Sequence, residues 1–440
     1  MKRSIALALA LAACVPSTAE LRGPVDADLA RRLAIDPRVP PAIDALLAKP
    51  LDTDAAVRIA LANNQRLAAS LAELGIAGGE LANATVLGPL EVDASLRFGG
   101  GGHELELAAI QDLSGLVAMP RRRAAAHAEV AAARARTTAL AIALAARVEI
   151  ALRDVLAAQQ EVELRKTVFD ATDAAATLRE RMFAAGNTTA LAQARERDAR
   201  EMARIDLSRA RATVETRRAT VDALLGLSGS RTSWTVAGRL ADAPPTAPAL
   251  EDLESAAVDA SLALAADRAR VEAAASRAGA ATIRAFVPEL GVGVSVLDHV
   301  GGDADHGVSL GPAIRLGLPV FDQRRGERAQ ADAAHAAAAH ELAAVAVELR
   351  AHARAARVAA QAAHEEVRRL ADVVLPLRQQ IVDETLLHYN AMDADPFQLV
   401  AARRALAEAG HDYLDALRRY HDAVTAVNAL RRGVDLDATL

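Results

Sequence analysis

The sequence predicts a mostly helical chain with a small membrane β-barrel portion, built from long antiparallel coiled-coil helices and four β-strands in an internal two-fold repeat. Three observations carry that expectation. From Leu90 to Phe98 every even position is apolar and every odd one polar, the period-2 pattern of a sheet with one greasy and one wet face. From about Arg121 to Ala185 no turn signal occurs, and Ala141, Val148, Val155, Val162, Phe169, Ala176 and Phe183 fall seven apart, a coiled-coil seam rather than the broader stripe of a globular helix. The same layout returns at an offset of roughly 200 residues.

Only 2% of the 440 residues are aromatic while 52% are hydrophobic, so the apolar complement is mostly alanine, which permits close helix packing but makes poor bulky cores. The formal charge of −6 and the scattered Arg/Glu pairs at helical spacing describe a solvated surface, with no basic patch to hold nucleic acid. Lys2 and Arg3, the apolar run from Ile5 to Ala13 and then Cys14 resemble a bacterial lipoprotein signal, in which residues 1–13 are removed and Cys14 is acylated. An ordinary secretory leader with an incidental cysteine is the alternative. Cys14 is the only cysteine, so internal disulfides are excluded either way. Arg147 interrupts the best candidate for a membrane helix, and a chain that spans a membrane must then do so as a barrel.

Along the chain, Pro16, Pro24, Pro37, Pro40, Pro41 and Pro50 punctuate residues 14–50, predicting an extended arm with one short helix near Asp26 to Ala34. The first repeat covers 51–226. A helix capped at Asp52 shows Val57, Leu61, Leu67, Leu71 and Leu74 on one side and runs to about Ala82. A β-hairpin over 90–113 turns at Gly99-Gly100-Gly101-Gly102, which lacks the Lys-Ser/Thr and the helix start of a phosphate loop. The long helix ends at a tip near 186–189, where Gly186 and Asn187 are expected to supply left-handed conformations. An ascending helix to about Leu225 carries Leu207, Val214 and Val221 seven apart. Residues 227–249 form a loop-rich, proline-containing linker. The second repeat, 250–432, has a helix from about Leu250 to Arg284, a hairpin over 287–318 with Leu290, Val292, Val294 and Val296 on one side, and a second long helix to about Tyr389. A tip at 390–395, an ascending helix from Pro396 and a tail at 433–440 complete it.

In each half the two shorter helices together match the long one, about 69 residues against about 65 in the first, so two short helices stacked end to end can pair with one long helix. Four strands cannot close a barrel, since about eight is the smallest number that fills its own interior; three copies would give twelve.

Four stretches, Leu51 to Leu67, Asp112 to Arg123, Gly311 to Asp322 and Leu387 to Met392, together with their order, the duplication and the lipidated start, resemble the TolC-type outer-membrane efflux channels over nearly the whole mature chain. The resemblance implies a homotrimer closing as a twelve-stranded barrel in the outer membrane and a twelve-helix periplasmic tunnel. It implies a periplasmic adaptor protein and an inner-membrane pump as partners, with outer-membrane lipid around the barrel and the anchor. Gly186, Asn187, Thr188 and Thr189 at one tip, with Ala391 and Met392 at the other, would meet the adaptor. Asp393 and Asp395, repeated around the axis, would form a carboxylate ring that gates the tunnel.

Several residues carry a second reading. Asp395 is also well placed as N-cap of the helix beginning at Pro396. Met392 stands where the first tip has Gly186, predicting a looser second reversal or another turn type. Pro376 is expected to kink the second long helix, as a static bend or as a hinge. His335, His340, His352 and His364 do not share a face and have no cysteine with them, which predicts solvated positions; no metal site or cofactor is expected. His299 and His306, with Asp298, Asp303 and Asp305, offer at most a weak cation site on the second loop. Phe98, Phe286 and Phe321 are nearly the only aromatics near the strands, making thin girdles. No nucleophile elbow is present, so catalysis is not expected. The reading is a passive export duct for small molecules or metal ions. The alternatives are the exit duct of a protein-secretion system and a lipid-anchored coiled-coil scaffold without a pore.

Overall fold

A computed structural model describes residues 16–38, 41–99, 102–300, 306–318 and 323–438. The expected leader and Cys14, Gly100 and Gly101, the Gly301 to Asp305 loop with its two aspartates, and Pro319 to Asp322 lie outside the described residues. The chain divides into two compact units, Met1–Val25, Ala69–Thr138 and Leu262–Val347 forming one, and Asp26–Ala68, Ala139–Ser261 and Glu348–Leu440 the other. No described helix is long and apolar enough to cross a membrane.

The element order is α1 (Thr18–Leu33), α2 (Ile43–Leu47), α3 (Thr53–Asn63), α4 (Gln65–Thr85), β1 (Leu90–Gly99), β2 (Gly102–Asp112), α5 (Ser114–Ala184), α6 (Ala190–Leu225), α7 (Leu253–Ala260), α8 (Leu262–Phe286), β3 (Glu289–Val300), β4 (His306–Gly317), α9 (Arg325–Arg369), α10 (Leu375–Asn390) and α11 (Pro396–Arg431). The arm is thus more ordered than its prolines suggested: α1 continues through Pro24, its seventh residue, although the ring removes the amide that would bond the Glu20 carbonyl.

The first unit holds the sheet. Its order is β1-β2-β3-β4, every neighbour antiparallel. The register places Ala94, Leu107, Val296 and Leu310 in one row, so the alternation seen in β1 is in phase across all four strands. Small residues seal the helices beside it: Ala118, Ala125, Ala132, Ala273 and Ala280 are buried, and Ser70 Oγ and Thr137 Oγ1 share a 3.0 Å hydrogen bond.

The second unit contains the coiled-coil seam. Ala141, Val148, Val155 and Ala176 are fully buried, Val162 and Phe169 half-buried and Phe183 near the tip exposed; Ile142, Ala143, Ala145 and Ala146 are buried as well, so the covered surface is broader there than the expected seam. Two expected helices are broken. The helix capped by Asp52, whose carboxylate accepts from Ala55 N, stops at Asn63; Asn64 turns extended with ψ 120°. The Asn64 Oδ1 accepts from the amides of Arg66 and Leu67, starting a new helix by the side-chain competition that makes asparagine a cap. Asn63 and Asn64 also donate to the carbonyls of Leu224, Leu225 and Gly226, tying down the end of α6. Ser261 makes the matching break between α7 and α8 with ψ 119°. There Arg32 Nη1 donates to the carbonyls of Ala260 (3.0 Å) and Arg432 (2.6 Å), joining the end of α11 to that of α7.

The expected linker is a packed strap. Trp234 is buried, its Nε1 donates to Asp222 (2.6 Å), and the Arg218 guanidinium lies 4.2 Å above its ring while donating to its carbonyl. Leu240 and Ala243 join Ala157, Val367, Leu417 and Tyr420 in one apolar cluster. Tyr413 Oη donates to Asp242, and His421 Nε2 and His364 Nε2 meet the carbonyls of Ala241 and Pro244. His364 is therefore buried rather than solvated, and His352 pairs with Asp435, which raises its pKa by hydrogen bonding. Among the described residues no cluster suits a metal ion.

The interruption expected at Pro376 takes the form of a π-helical turn over Leu370–Val374, immediately before α10. The Leu375 amide bonds back to Leu370 O, an i→i+5 bond that shifts the register just ahead of the residue that cannot donate.

Candidate functional site

Two regions bear on function, the faces of the sheet and the two helical tips. On one face stand Leu90, Val92, Leu96, Phe98, Leu107, Leu290, Val292, Val294, Val308, Leu310, Ile314 and Leu316, all exposed. Val92, Leu96, Phe98, Val308, Leu310 and Ile314 each show more than half of their surface. A monomeric soluble protein rarely leaves so continuous an apolar patch in water. The opposite face carries Glu91, Asp93, Arg97, Glu104, Glu106 and Arg315 among small residues such as Gly293, Ser309 and Gly311. Arg97 pairs with Glu106 (3.4 Å) and Arg315 with both Glu91 and Asp93.

At the tips, the two reversals share one turn type, which corrects the expectation of a looser second one. Asn187 N bonds to Met182 O (2.8 Å) and Gly186 N to Phe183 O (2.9 Å); Asp393 N bonds to His388 O (2.9 Å) and Met392 N to Tyr389 O (3.0 Å). Gly186 is left-handed at φ +78° and Met392 at φ +62°, whereas Asn187 is not left-handed, contrary to expectation. Methionine tolerates the position at a steric cost of about 1–2 kcal/mol, with its side chain 96% exposed. Thr188 Oγ1 accepts from Arg179, Thr189 caps α6 through Ala192 N, and Ala391 ends α10.

Asp395 caps α11 by accepting from Phe397 N (2.8 Å), and Asp393 pairs with His388 Nδ1 (2.9 Å). Both aspartates are exposed. Asp393, but not Asp395, borders a groove of about 510 Å³ lined by Leu377, Ile381, Glu384, Thr385 and Gln398. One tip contact was not anticipated from sequence. The Arg179 guanidinium lies 3.3 Å above the Phe397 ring, tying the first hairpin to the second across 218 residues of sequence, with no local signal to announce it.

Structures of known proteins decide the fold. The outer membrane protein VceC of Vibrio cholerae superposes with a TM-score of 0.70 at 17% identity, over 90% of this chain and 100% of that one. The chain has the TolC-type outer-membrane channel fold. The CmeC outer membrane channel of Campylobacter jejuni gives 0.73 at 12% identity (87% and 86% covered), and the open state of the MtrE outer membrane channel of Neisseria gonorrhoeae 0.68 at 17% (87% and 90%). Neither a family model nor a curated protein matches the sequence.

Within the helices of this channel fold, Asp154, Asp415 and Asp422 surround Arg418, with Arg217 bound to Asp154 at 3.0 Å. Burial, and next the Asp154 charge, push the Asp422 carboxyl up to about 6, against the pull of Arg418, Arg153 and Arg217. A carboxyl raised in the folded state contributes stability that is complete below its unfolded value, about 4, and is lost as pH rises through about 6. Asp422→Asn should therefore unfold later than the parent at pH 7.5, by about 1–2 kcal/mol after allowance for solvent screening, with the gap closing near pH 4. Thermal unfolding at the two pH values checks this; a gap that ignores pH contradicts it.

Proposed function

We propose that the protein is the outer-membrane channel of a tripartite efflux system, a passive export duct anchored by acylated Cys14 and assembled as a homotrimer with a periplasmic adaptor and an inner-membrane pump. The observation that carries this reading is the sheet with one exposed apolar face and one charged face, four strands wide and open at both edges. The apolar face suits lipid, and the charged face a water-filled interior. Within one chain Arg315 on β4 reaches across the charged face to Glu91 and Asp93 on β1, so that this face is concave, as the inside of a barrel wall would be. A pore-less scaffold has no use for such a face. The cargo is small molecules or metal ions, with selection left to the pump. Light scattering of the detergent-solubilised mature protein tests the assembly: three chain masses per particle support it, and a monomer extractable without detergent once Cys14 is replaced overturns it.

The tips are the adaptor contacts, Gly186 to Thr189 and Ala391 with Met392, and Asp393 and Asp395 form the periplasmic gate. Asparagine caps a helix as well as aspartate does, so Asp393→Asn/Asp395→Asn removes the charge and keeps the turn. The double variant should lose preference for cations over anions in bilayer recordings. Unchanged selectivity would leave Asp395 a cap and Asp393 a partner of His388, with no role in the pore.

A further inference from the structure

Where the strands give way to helices in the first unit, a polar pocket of about 220 Å³ collects Arg122, Arg284 and Arg324 beside the start of α5. Its two carboxylates are already engaged: Asp112 accepts from the Ser114 amide (2.8 Å) and hydroxyl (2.7 Å), and Glu289 from Arg324 (2.9 Å). Arg122 and Arg284 have no such partner among the described residues, and the Arg122 Nε is fully buried without an acceptor. A buried charged donor left unpaired is costly unless something outside the protein satisfies it. Arg324 is held left-handed at φ +49°, a conformation a residue with a β-carbon adopts only when its surroundings impose it. The N-terminus of a 71-residue helix adds its partial positive charge to the same space, Arg122 reaching back to within 4.0 Å of where a Gly115 β-carbon would stand.

Three guanidiniums against two carboxylates, a helix N-terminus and a concave shape make one kind of ligand fit. We propose that this pocket binds a phosphate-class anion, held by Arg122 and Arg284 at the start of α5, with Arg324 fixed by Glu289 as its wall. Guanidinium forks match phosphate oxygens in pairs, and the positive end of the α5 dipole, only partly offset by Asp112, favours the same charge. The phosphate has two possible sources, a lipid headgroup at the end of the strands or an anionic solute. Asp112 pairs with Gly291 in register, which places it on the charged face of the sheet, so the duct reading favours the solute. Only that choice of source rests on the reading; the pocket itself does not.

The test is titration of the full-length protein in maltoside detergent with inorganic phosphate at constant ionic strength, followed by calorimetry or phosphorus NMR. Saturable binding is expected, weakened about tenfold or more in Arg122→Gln/Arg284→Gln. Arg284→Gln alone, at an exposed side chain, gives a weaker but distinct loss without threatening the fold. Binding that persists in phospholipid nanodiscs identifies a solute site; binding seen in maltoside and lost in nanodiscs identifies a headgroup site. Absence of saturable binding to the parent, or equal binding by all variants, overturns the proposal. Neither result depends on whether the protein conducts.

Discussion

Leu310→Arg is expected to abolish the membrane-inserted assembly, while Ser309→Arg, at the adjacent residue, is expected to leave it intact. Leu310 lies in the mid-strand row with Ala94, Leu107 and Val296 on the apolar face, 74% exposed in the single chain. An arginine on the lipid face at mid-depth costs about 2–4 kcal/mol per copy, and every copy in an assembly bears it. Ser309 points to the charged face, where Arg315 already stands two residues from Ala313 and meets carboxylates. The two substitutions add the same charge at neighbouring positions, so only the faces differ. Recovery of heat-resistant oligomer from isolated outer membranes reads the result. Equal tolerance, or equal loss, would mean that the alternation does not sort lipid from water.

Gly433→Ala should destabilise the protein by about 2–4 kcal/mol, through backbone strain and collision together. Gly433 has φ +89°, and a β-carbon there would strike the Ala260 carbonyl, the acceptor that Arg32 uses to join α7 to α11. Backbone cannot move aside as a flexible side chain can. Gly229→Ala separates the two causes: its φ is +62°, but nothing lies within 4 Å of the added carbon. The strain alone should therefore lower the unfolding midpoint less at Gly229 than at Gly433. Equal midpoints would remove the joint from the account.

Much of the fold was legible because its signals are periodic. The β1 alternation survives intact, the heptad positions from Ala141 to Val155 are buried, and the Asp52 and Asp395 caps form as their residue types demand. What escaped is mostly contact between distant residues. The strap over 227–249 is held by Asp222, His364, Tyr413 and His421, none of which is near it in helical spacing except Asp222. His364 was misread because nothing local separates a buried histidine under a strap from a solvated one. The break at Asn64 had a signal in the Asn63-Asn64 pair, since asparagine competes with helix bonds; the one at Ser261 had only a single serine amid alanines. Met392 kept the turn of Gly186 because the hydrogen bonds of the reversal, not the residue at its left-handed position, define it. Arg122, Arg284 and Arg324 meet only through the register of the sheet, which pattern alone does not supply.

The central claim is that the charged face of the sheet lines water. The measurement that tests it most directly is the current carried by the purified mature protein in a planar lipid bilayer. Discrete, uniform conductance steps that change when Ser309→Arg or Arg315→Glu alters the charged face, and stay unchanged when Val92→Leu alters the apolar one, are the predicted result. A protein that inserts and remains silent, or whose steps ignore the charged face, would contradict it.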